Sequence, residues 1–374
     1  MTWRTLSEGG TFRVVVTKNL PGSRWWEILR QADCEVRVST SRDVLSAADI
    51  KKEIGTRCDG VIGQLTERWD TELFSALKKA GGRVYANYAV GFDNVDVPAA
   101  TAHQIAVGNT PGVLTETTAE LAVSLTFAAA RRIGESERYL RAGKFDGWLP
   151  DLFLGHRLHG ATLGVIGAGR IGSAYARMLG SACHMNVLYY ELFRNEPLEQ
   201  YFEGLSRLLA KEGVRGPTCT RVETIEDVLR QANVVATHVP LFDATRHLIN
   251  LERLRLMKPD AVLVNSSRGP VIDEKALVEH LKANPEFRVG LDVFENEPKL
   301  APELTDLPNA VLVPHIGSAT VWTREGMATL AAANIAAVLR DDPVAEELHV
   351  EDFLEGDCAR LAPSIVNAKE LVHG

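Results

Sequence analysis

The feature that most constrains this 374-residue chain is a glycine-spaced turn, Gly167-Ala168-Gly169-Arg170-Ile171-Gly172. An apolar β-like run, Thr162–Ile166, leads into it, and a helix-like stretch near Ile171–Leu179 follows. The spacing alone is a weak pattern. Here the next β-like run, Asn186–Tyr190, ends on Glu191, 24 residues past Gly167, close to the interval of about 20 in dinucleotide-binding βαβ units. In such a unit Gly167 permits the tight turn, Gly169 lets backbone approach a pyrophosphate, and Gly172 allows close helix–strand packing. The helix start offers unpaired N–H groups and positive dipole. Glu191 would accept hydrogen bonds from ribose hydroxyls and repel a 2′-phosphate, so NAD(H) is expected; Arg194 stands close and softens that preference, so NADP(H) is possible but less favoured.

Alternation of β-like and helix-like runs extends along most of the chain. Before the turn, Phe12–Thr17, Glu35–Ser39, Gly60–Ile62, Arg83–Ala86 and Ile105–Gly108 read as strands, and Thr71–Lys79 as a helix. Thr115–Ala142 reads as one long Ala/Leu-rich helix. After the turn, Asn195–Gly213 reads as helix and Pro217–Arg221 as loop; Ile225–Arg230, Val234–Thr237, Ala261–Asn265, Glu274–Ala283, Val289–Val293 and Ala310–Val313 continue the series. Thr323–Arg340 closes it as a helix before an irregular tail. Such alternation predicts α/β architecture with parallel sheets, and the length suits two domains of roughly 100–200 residues each.

Composition narrows the function classes. Hydrophobic residues are 45% and charged ones 24% of the chain, and 41 Lys plus Arg stand against 49 Asp plus Glu. A net charge of −8 argues against nucleic acid as a partner, which calls for a basic face. The most apolar stretch, Leu121–Ala130, is broken by Ser124 and Thr126, far short of the about 20 residues that span a membrane. Met1–Gly10 lacks the basic start and apolar run of a secretory signal. Cys34, Cys58, Cys183, Cys219 and Cys358 are scattered without a CxxC pair, so reduced thiols, no metal site and a cytoplasmic location are expected.

Three further segments fall at ends of expected strands: Asn265-Ser266-Ser267-Arg268, Asp292-Val293-Phe294-Glu295-Asn296-Glu297-Pro298 and Pro314-His315-Ile316-Gly317-Ser318. Open α/β sheets bind ligands at such ends. An Arg, a carboxylate and a His are what hydride transfer to a 2-oxo acid requires. Arg268 pairs with the substrate carboxylate or polarises its carbonyl, and His315 protonates the developing alkoxide. A carboxylate, Glu297 or Glu295, orients the His. Asp292 is a candidate for holding the nicotinamide amide.

These motifs, with Cys58–Thr66, Ala89–Asp96, Val107–Glu120, Ser267–Asp273 and Thr323–Ala328, resemble the D-2-hydroxyacid dehydrogenase family, in particular its plant-type hydroxypyruvate-reducing members, over nearly the whole chain. The resemblance implies two Rossmann-like/flavodoxin-like parallel-sheet domains. One is substrate-binding and discontinuous (1–114 and 320–374), and an NAD-binding domain (115–319) is inserted into it. It selects Glu297, the acid directly before the proline, as partner of His315 and Arg268. It adds cofactor contacts at Arg170, Ile171, Glu191, Val239, Ser266, Ser267, Arg268, Asp292, His315, Gly317, Ser318 and Thr118. The N–H groups of Val90 and Gly91 would hold the substrate carboxylate, with Leu65 lining the pocket. A homodimer is implied, with much of its interface on Thr115–Ala142 and Trp148 reaching toward the partner.

The expected reaction is NADH-dependent reduction of hydroxypyruvate to D-glycerate, with glyoxylate to glycolate alongside and domain closure excluding water. Other D-2-hydroxyacid dehydrogenase activities, such as one on 3-phosphoglycerate, and an NAD-sensing, co-repressor-like binding protein are the alternatives. The chain departs from the resemblance in two places. It ends Leu371-Val372-His373-Gly374 rather than on a Ser-Lys-Leu-type address, and position 191 is Glu where Asp is common.

Overall fold

A computed structural model describes residues 3–355 and 360–371; Cys358 and the final three residues lie outside them. Contacts divide the chain into two units, Met1–Leu114 with Ala319–Gly374, and Thr115–Ser318. Ala319 therefore goes with the first unit.

The first unit carries six strands: β1 (Trp3–Ser7), β2 (Phe12–Val16), β3 (Cys34–Ser39), β4 (Gly60–Gly63), β5 (Val84–Asn87) and β6 (Ala106–Gly108). Their order is β1-β3-β2-β4-β5-β6. All neighbours are parallel except β1, which runs antiparallel to β3. Without β1 this is the flavodoxin-like order. β4 and β5 are buried along their whole length, as expected of parallel strands covered on both faces. Trp69 stacks 4.2 Å from Tyr85 and 5.5 Å from Phe74, centroid to centroid, within the core on one side. The helix Val321–Leu339 is buried along nearly all its length and packs on β4, β5, β6 and the helix Arg24–Gln31. Its Asn334 donates to the Asn109 carbonyl and accepts from the Ser364 N–H, both at 2.9 Å.

The second unit is an all-parallel sheet of seven strands: β7 (Thr162–Ile166), β8 (Asn186–Tyr190), β9 (Cys219–Arg221), β10 (Val234–Thr237), β11 (Val262–Asn265), β12 (Arg288–Leu291) and β13 (Ala310–Leu312). The order β13-β12-β11-β10-β7-β8-β9 is the Rossmann order, reversing direction of progression between β7 and β10. The fold class is thus the expected one, α/β with two predominantly parallel sheets. Two buried clusters cover the faces, one around Leu263, Val271 and Leu277, the other around Leu163, Tyr175 and Val187.

Two local expectations are corrected, and one strand is added. Thr115–Ala142 is two helices, Thr115–Ala130 and Ile133–Arg141. Arg132 breaks the run in the left-handed region at φ 56°, while its guanidinium clasps Glu135 at 2.7 and 2.8 Å. Pro217–Arg221, read as loop, contributes the short edge strand β9, because parallel pairing to β8 supplies what three residues cannot show locally. β1 was not anticipated; antiparallel pairing to β3 creates it. Among the described residues no helix is long and apolar enough to cross a membrane, and no acidic, His or Cys group is arranged to hold a metal.

Candidate active site

The second unit collects its chemistry at the carboxyl edge of one sheet. Gly167 follows β7 at φ 95°, and a Cβ there would lie 2.7 Å from the His238 carbonyl oxygen. At Gly172 a Cβ would fall 2.0 Å from the Gly167 carbonyl oxygen. Both positions therefore exclude any larger residue. Nothing lies within 4 Å of a Cβ built on Gly169, so its backbone faces open space. Gly169 is also the N-cap of the helix Arg170–Ala182 and brings no capping side chain. The first N–H groups of that helix are left for a ligand, with the positive end of its dipole behind them. Arg170, Ile171 and Gly172 form its first turn. A cradle that a Cβ would fill, open to the start of a thirteen-residue helix, fits a dinucleotide pyrophosphate.

The turn is braced from two sides. Gly167 N donates to the Tyr190 carbonyl at 3.0 Å, and His238 N to the Ile166 carbonyl at 2.8 Å. The half-buried His238 packs against Tyr175, ring centroids 5.0 Å apart. Burial pushes its imidazole down to about 4, so it stays neutral beneath the turn. Val239 follows it. Glu191 stands at the end of β8, its Oε1 accepting from Leu192 N at 2.8 Å.

β11 ends on Asn265, whose buried amide shapes the turn beyond. Its Oδ1 accepts from Ser267 N at 3.0 Å and from Ser267 Oγ at 2.8 Å, and its Nδ2 donates to the Arg268 carbonyl at 2.9 Å. Gly269 follows Arg268 in close contact with the next loop: a Cβ on it would lie 1.9 Å from the carbonyl carbon and oxygen of Phe294.

Beyond β12, Asp292 is almost wholly buried and accepts from Ile316 N at 2.6 Å and Gly317 N at 2.8 Å. Burial raises its carboxyl above the ordinary value, against the pull of those two N–H groups. His315 lies past β13 at φ 53°, a left-handed conformation of the kind that functional sites hold against strain. Its N–H donates to the Asp292 carbonyl at 2.9 Å. Its Nδ1 meets Glu297 Oε2 at 2.8 Å, and Glu297 Oε1 accepts from Phe294 N at 3.0 Å. Burial works to raise the Glu297 carboxyl, but the His315 hydrogen bond and charge, with the Phe294 N–H, outweigh it and hold it below the usual value. Thr118, buried on the helix Thr115–Ala130, lies beside Gly317: a Cβ built there would sit 3.5 Å from Thr118 Cγ2. Ser266 and Ser318 sit in the turns beyond β11 and β13.

The structure separates the two glutamates that a local reading leaves equivalent. Glu295 pairs instead with His247 Nε2 at 2.7 Å. Sequence reasoning missed Glu274, a buried carboxylate that accepts from Glu295 N at 2.7 Å and Ala301 N at 2.6 Å and so clamps both ends of the Glu297 loop. It also missed Asn195, whose Nδ2 donates to the Ala168 carbonyl at 2.7 Å. Asn before Glu-Pro is a helix N-cap signature, which would have found it.

In the first unit, Leu65 is half-buried in the turn after β4, and Val90 and Gly91 follow β5. The carbonyls of Val90 and Gly91 accept from the side-chain amides of Asn109 and Asn87, both at 2.9 Å. Among the described residues neither of their N–H groups has an acceptor.

Glycine cradle, switch-point sheet and acidic edge residue define a dinucleotide-binding α/β unit, and the comparisons carry the assignment further. Residues 123–317 match the model of D-isomer specific 2-hydroxyacid dehydrogenase, NAD binding domain. A glycerate dehydrogenase of Cucumis sativus is 54% identical over 366 residues, spanning 97% of this chain and 96% of its own. A protein from Thermus thermophilus superposes with a TM-score of 0.78 at 37% identity, covering 95% of this chain and 100% of that one. An NADPH-dependent glyoxylate/hydroxypyruvate reductase from Sinorhizobium meliloti, in complex with NADP and malonate, gives 0.74 at 30% identity, covering 92% and 99%. The chain belongs to the D-isomer specific 2-hydroxyacid dehydrogenase family.

Proposed function

We propose that this protein reduces hydroxypyruvate to D-glycerate with NADH and accepts glyoxylate as a second substrate. The observation that carries the chemistry is the 2.8 Å contact between His315 Nδ1 and Glu297 Oε2, on the sheet edge that also carries the glycine cradle and Arg268. The likeness to the cucumber glycerate dehydrogenase carries the substrate. NAD(H) would lie on Gly167–Gly172, with Glu191 at the adenosine ribose. Val239, Ser266, Ser267, Arg268, Asp292, Gly317, Ser318 and Thr118 complete its site. When bound, it supplies the hydride for C2 of the 2-oxo acid. The protein's own groups do the rest. Arg268 pairs with the substrate carboxylate and polarises its carbonyl. His315, with Nδ1 on Glu297, presents Nε2 as proton donor to the oxygen that gains charge. The N–H groups of Val90 and Gly91 hold the substrate carboxylate, and Leu65 lines the pocket. The unit of Met1–Leu114 with Ala319–Gly374 serves as substrate domain and Thr115–Ser318 as cofactor domain.

Purified protein with NADH should consume it with hydroxypyruvate and glyoxylate, and far less with 3-phosphohydroxypyruvate. Consumption with none of the three would remove the enzymatic reading. The same reading includes a homodimer, supported by exposed apolar side chains at Ile133 (53%), Leu140 (60%) and Trp148 (81%); a monomer in sedimentation velocity would overturn it. It also includes a cytoplasmic location, supported by four unpaired cysteines among the described residues and tested by cell fractionation.

A further inference from the structure

Cofactor choice turns on what surrounds Glu191, and the segment after it is built in an unexpected way. Glu191–Asn195 is stitched back onto the glycine turn, since Asn195 Nδ2 donates to the Ala168 carbonyl at 2.7 Å and to Ser173 Oγ at 2.9 Å. Arg194 therefore stands directly beside the cradle, three residues past the acid. Its guanidinium is engaged there. Nε and Nη2 reach Glu199 Oε2 at 2.9 and 2.7 Å, and Glu196 lies 3.8 Å from Nη1. Glu199 is held in turn: its side chain is only 11% exposed, and its Oε1 accepts from the Tyr189 hydroxyl at 2.6 Å. Tyr189 is buried in β8, and its hydroxyl oxygen accepts from Asn195 N at 2.9 Å. The second nearby cation, Arg221, is also engaged. It donates to the carbonyls of Glu191 and Leu192 at 3.1 and 3.2 Å, with Glu223 at 3.7 Å.

We infer that Glu199 is a specificity-determining residue for the dinucleotide. By fixing the Arg194 guanidinium on a carboxylate braced by Tyr189, it withholds from the 2′-position a cation that would otherwise recruit a 2′-phosphate. Discrimination then has two parts, the repulsive Glu191 and the restrained Arg194. Removing the first alone leaves the second in force. The inference rests on the NAD(H)-binding reading of the glycine cradle. An arginine recognises phosphate through paired charge-assisted donors, and here the paired Nε–Nη2 edge is engaged by Glu199.

The test is equilibrium binding of NADH and NADPH, followed by fluorescence, to wild type and to E191S, E199Q, E191S/E199Q and E191S/E199Q/R194Q. E191S alone should bind NADPH only slightly better than wild type. The double variant should gain about tenfold or more over E191S, the size of a new charge-assisted contact. The gain should vanish in the triple variant and shrink with added salt. A double variant no better than E191S, or a gain that survives R194Q, overturns the inference. R194Q alone, an exposed change that spares the fold, is a second arm. It should leave both affinities within about twofold, whereas a clear loss of NADPH affinity would show Arg194 already serving the phosphate and refute the restraint. Wild type that binds neither dinucleotide would fail the cradle reading itself and take this inference with it.

Discussion

Replacing Gly269 with Ala isolates one backbone contact on which the proposed site depends. The added Cβ would lie 1.9 Å from the carbonyl carbon and oxygen of Phe294 and 2.5 Å from Glu295 N. All three are main-chain atoms, so no rotamer change relieves the clash. Reaching ordinary contact requires the two loops to part by about 1.5 Å. One of those loops carries Arg268 and the other carries Glu297, itself fixed by Phe294 N at 3.0 Å. Overpacking of this kind costs about 1–3 kcal/mol, or a Tm lower by roughly 2–12 °C for a domain of this size. A displacement of about 1 Å in positioning groups costs on the order of 100-fold in rate. The glycine cradle at β7 is a separate structure and should be spared. We therefore expect kcat/KM for hydroxypyruvate to fall about 100-fold, with NADH affinity within about threefold of wild type. Steady-state kinetics, fluorescence titration and a thermal melt measure the three quantities. Unchanged kcat/KM with an unchanged Tm would refute the claim that this contact sets the spacing of Arg268 and Glu297.

His315→Gln should lower kcat by about 10²–10⁴-fold, the usual contribution of general acid catalysis, while NADH still binds; turnover within tenfold of wild type would exclude His315 as donor. Tyr175→Phe removes a fully buried hydroxyl 2.8 Å from Thr126 Oγ1, and should cost about 1 kcal/mol or somewhat more, read as a lowered urea midpoint with unchanged slope. The Glu297 carboxyl is depressed in the folded protein, so its contribution is complete above the ordinary carboxylate value and is lost as pH falls through the lower folded value. Stability should decline below about pH 4.5, and Glu297→Gln should flatten that part of the decline; an identical acid limb would show that other carboxylates control it.

The sequence exposes those parts of the fold that repeat a local rule. Continuous apolar runs such as Ala261–Val264 announce buried parallel strands, and the spacing of Gly167, Gly169 and Gly172 announces the cradle. What stays hidden depends on partners distant in the chain. β9 is Cys-Thr-Arg, too short to signal itself, and exists through its pairing with β8. The helix break at Arg132 follows a run of good helix formers and is set by packing and the Glu135 clasp. Glu295 and Glu297 share one loop and differ only in which His each meets, His247 or His315. Glu274 looks like an ordinary first-turn acid until Glu295 and Ala301 bring their N–H groups to it.

The chain's division also orders events during synthesis. Strands β1–β6 leave the ribosome first, yet the long helix that covers β4, β5 and β6 is encoded after residue 318. The continuous stretch Thr115–Ser318 can close its own core as soon as it has been made. The leading 114 residues must wait with part of their sheet uncovered, so a polypeptide truncated before Val321 should be a chaperone client and prone to precipitate, although every strand of that sheet is present.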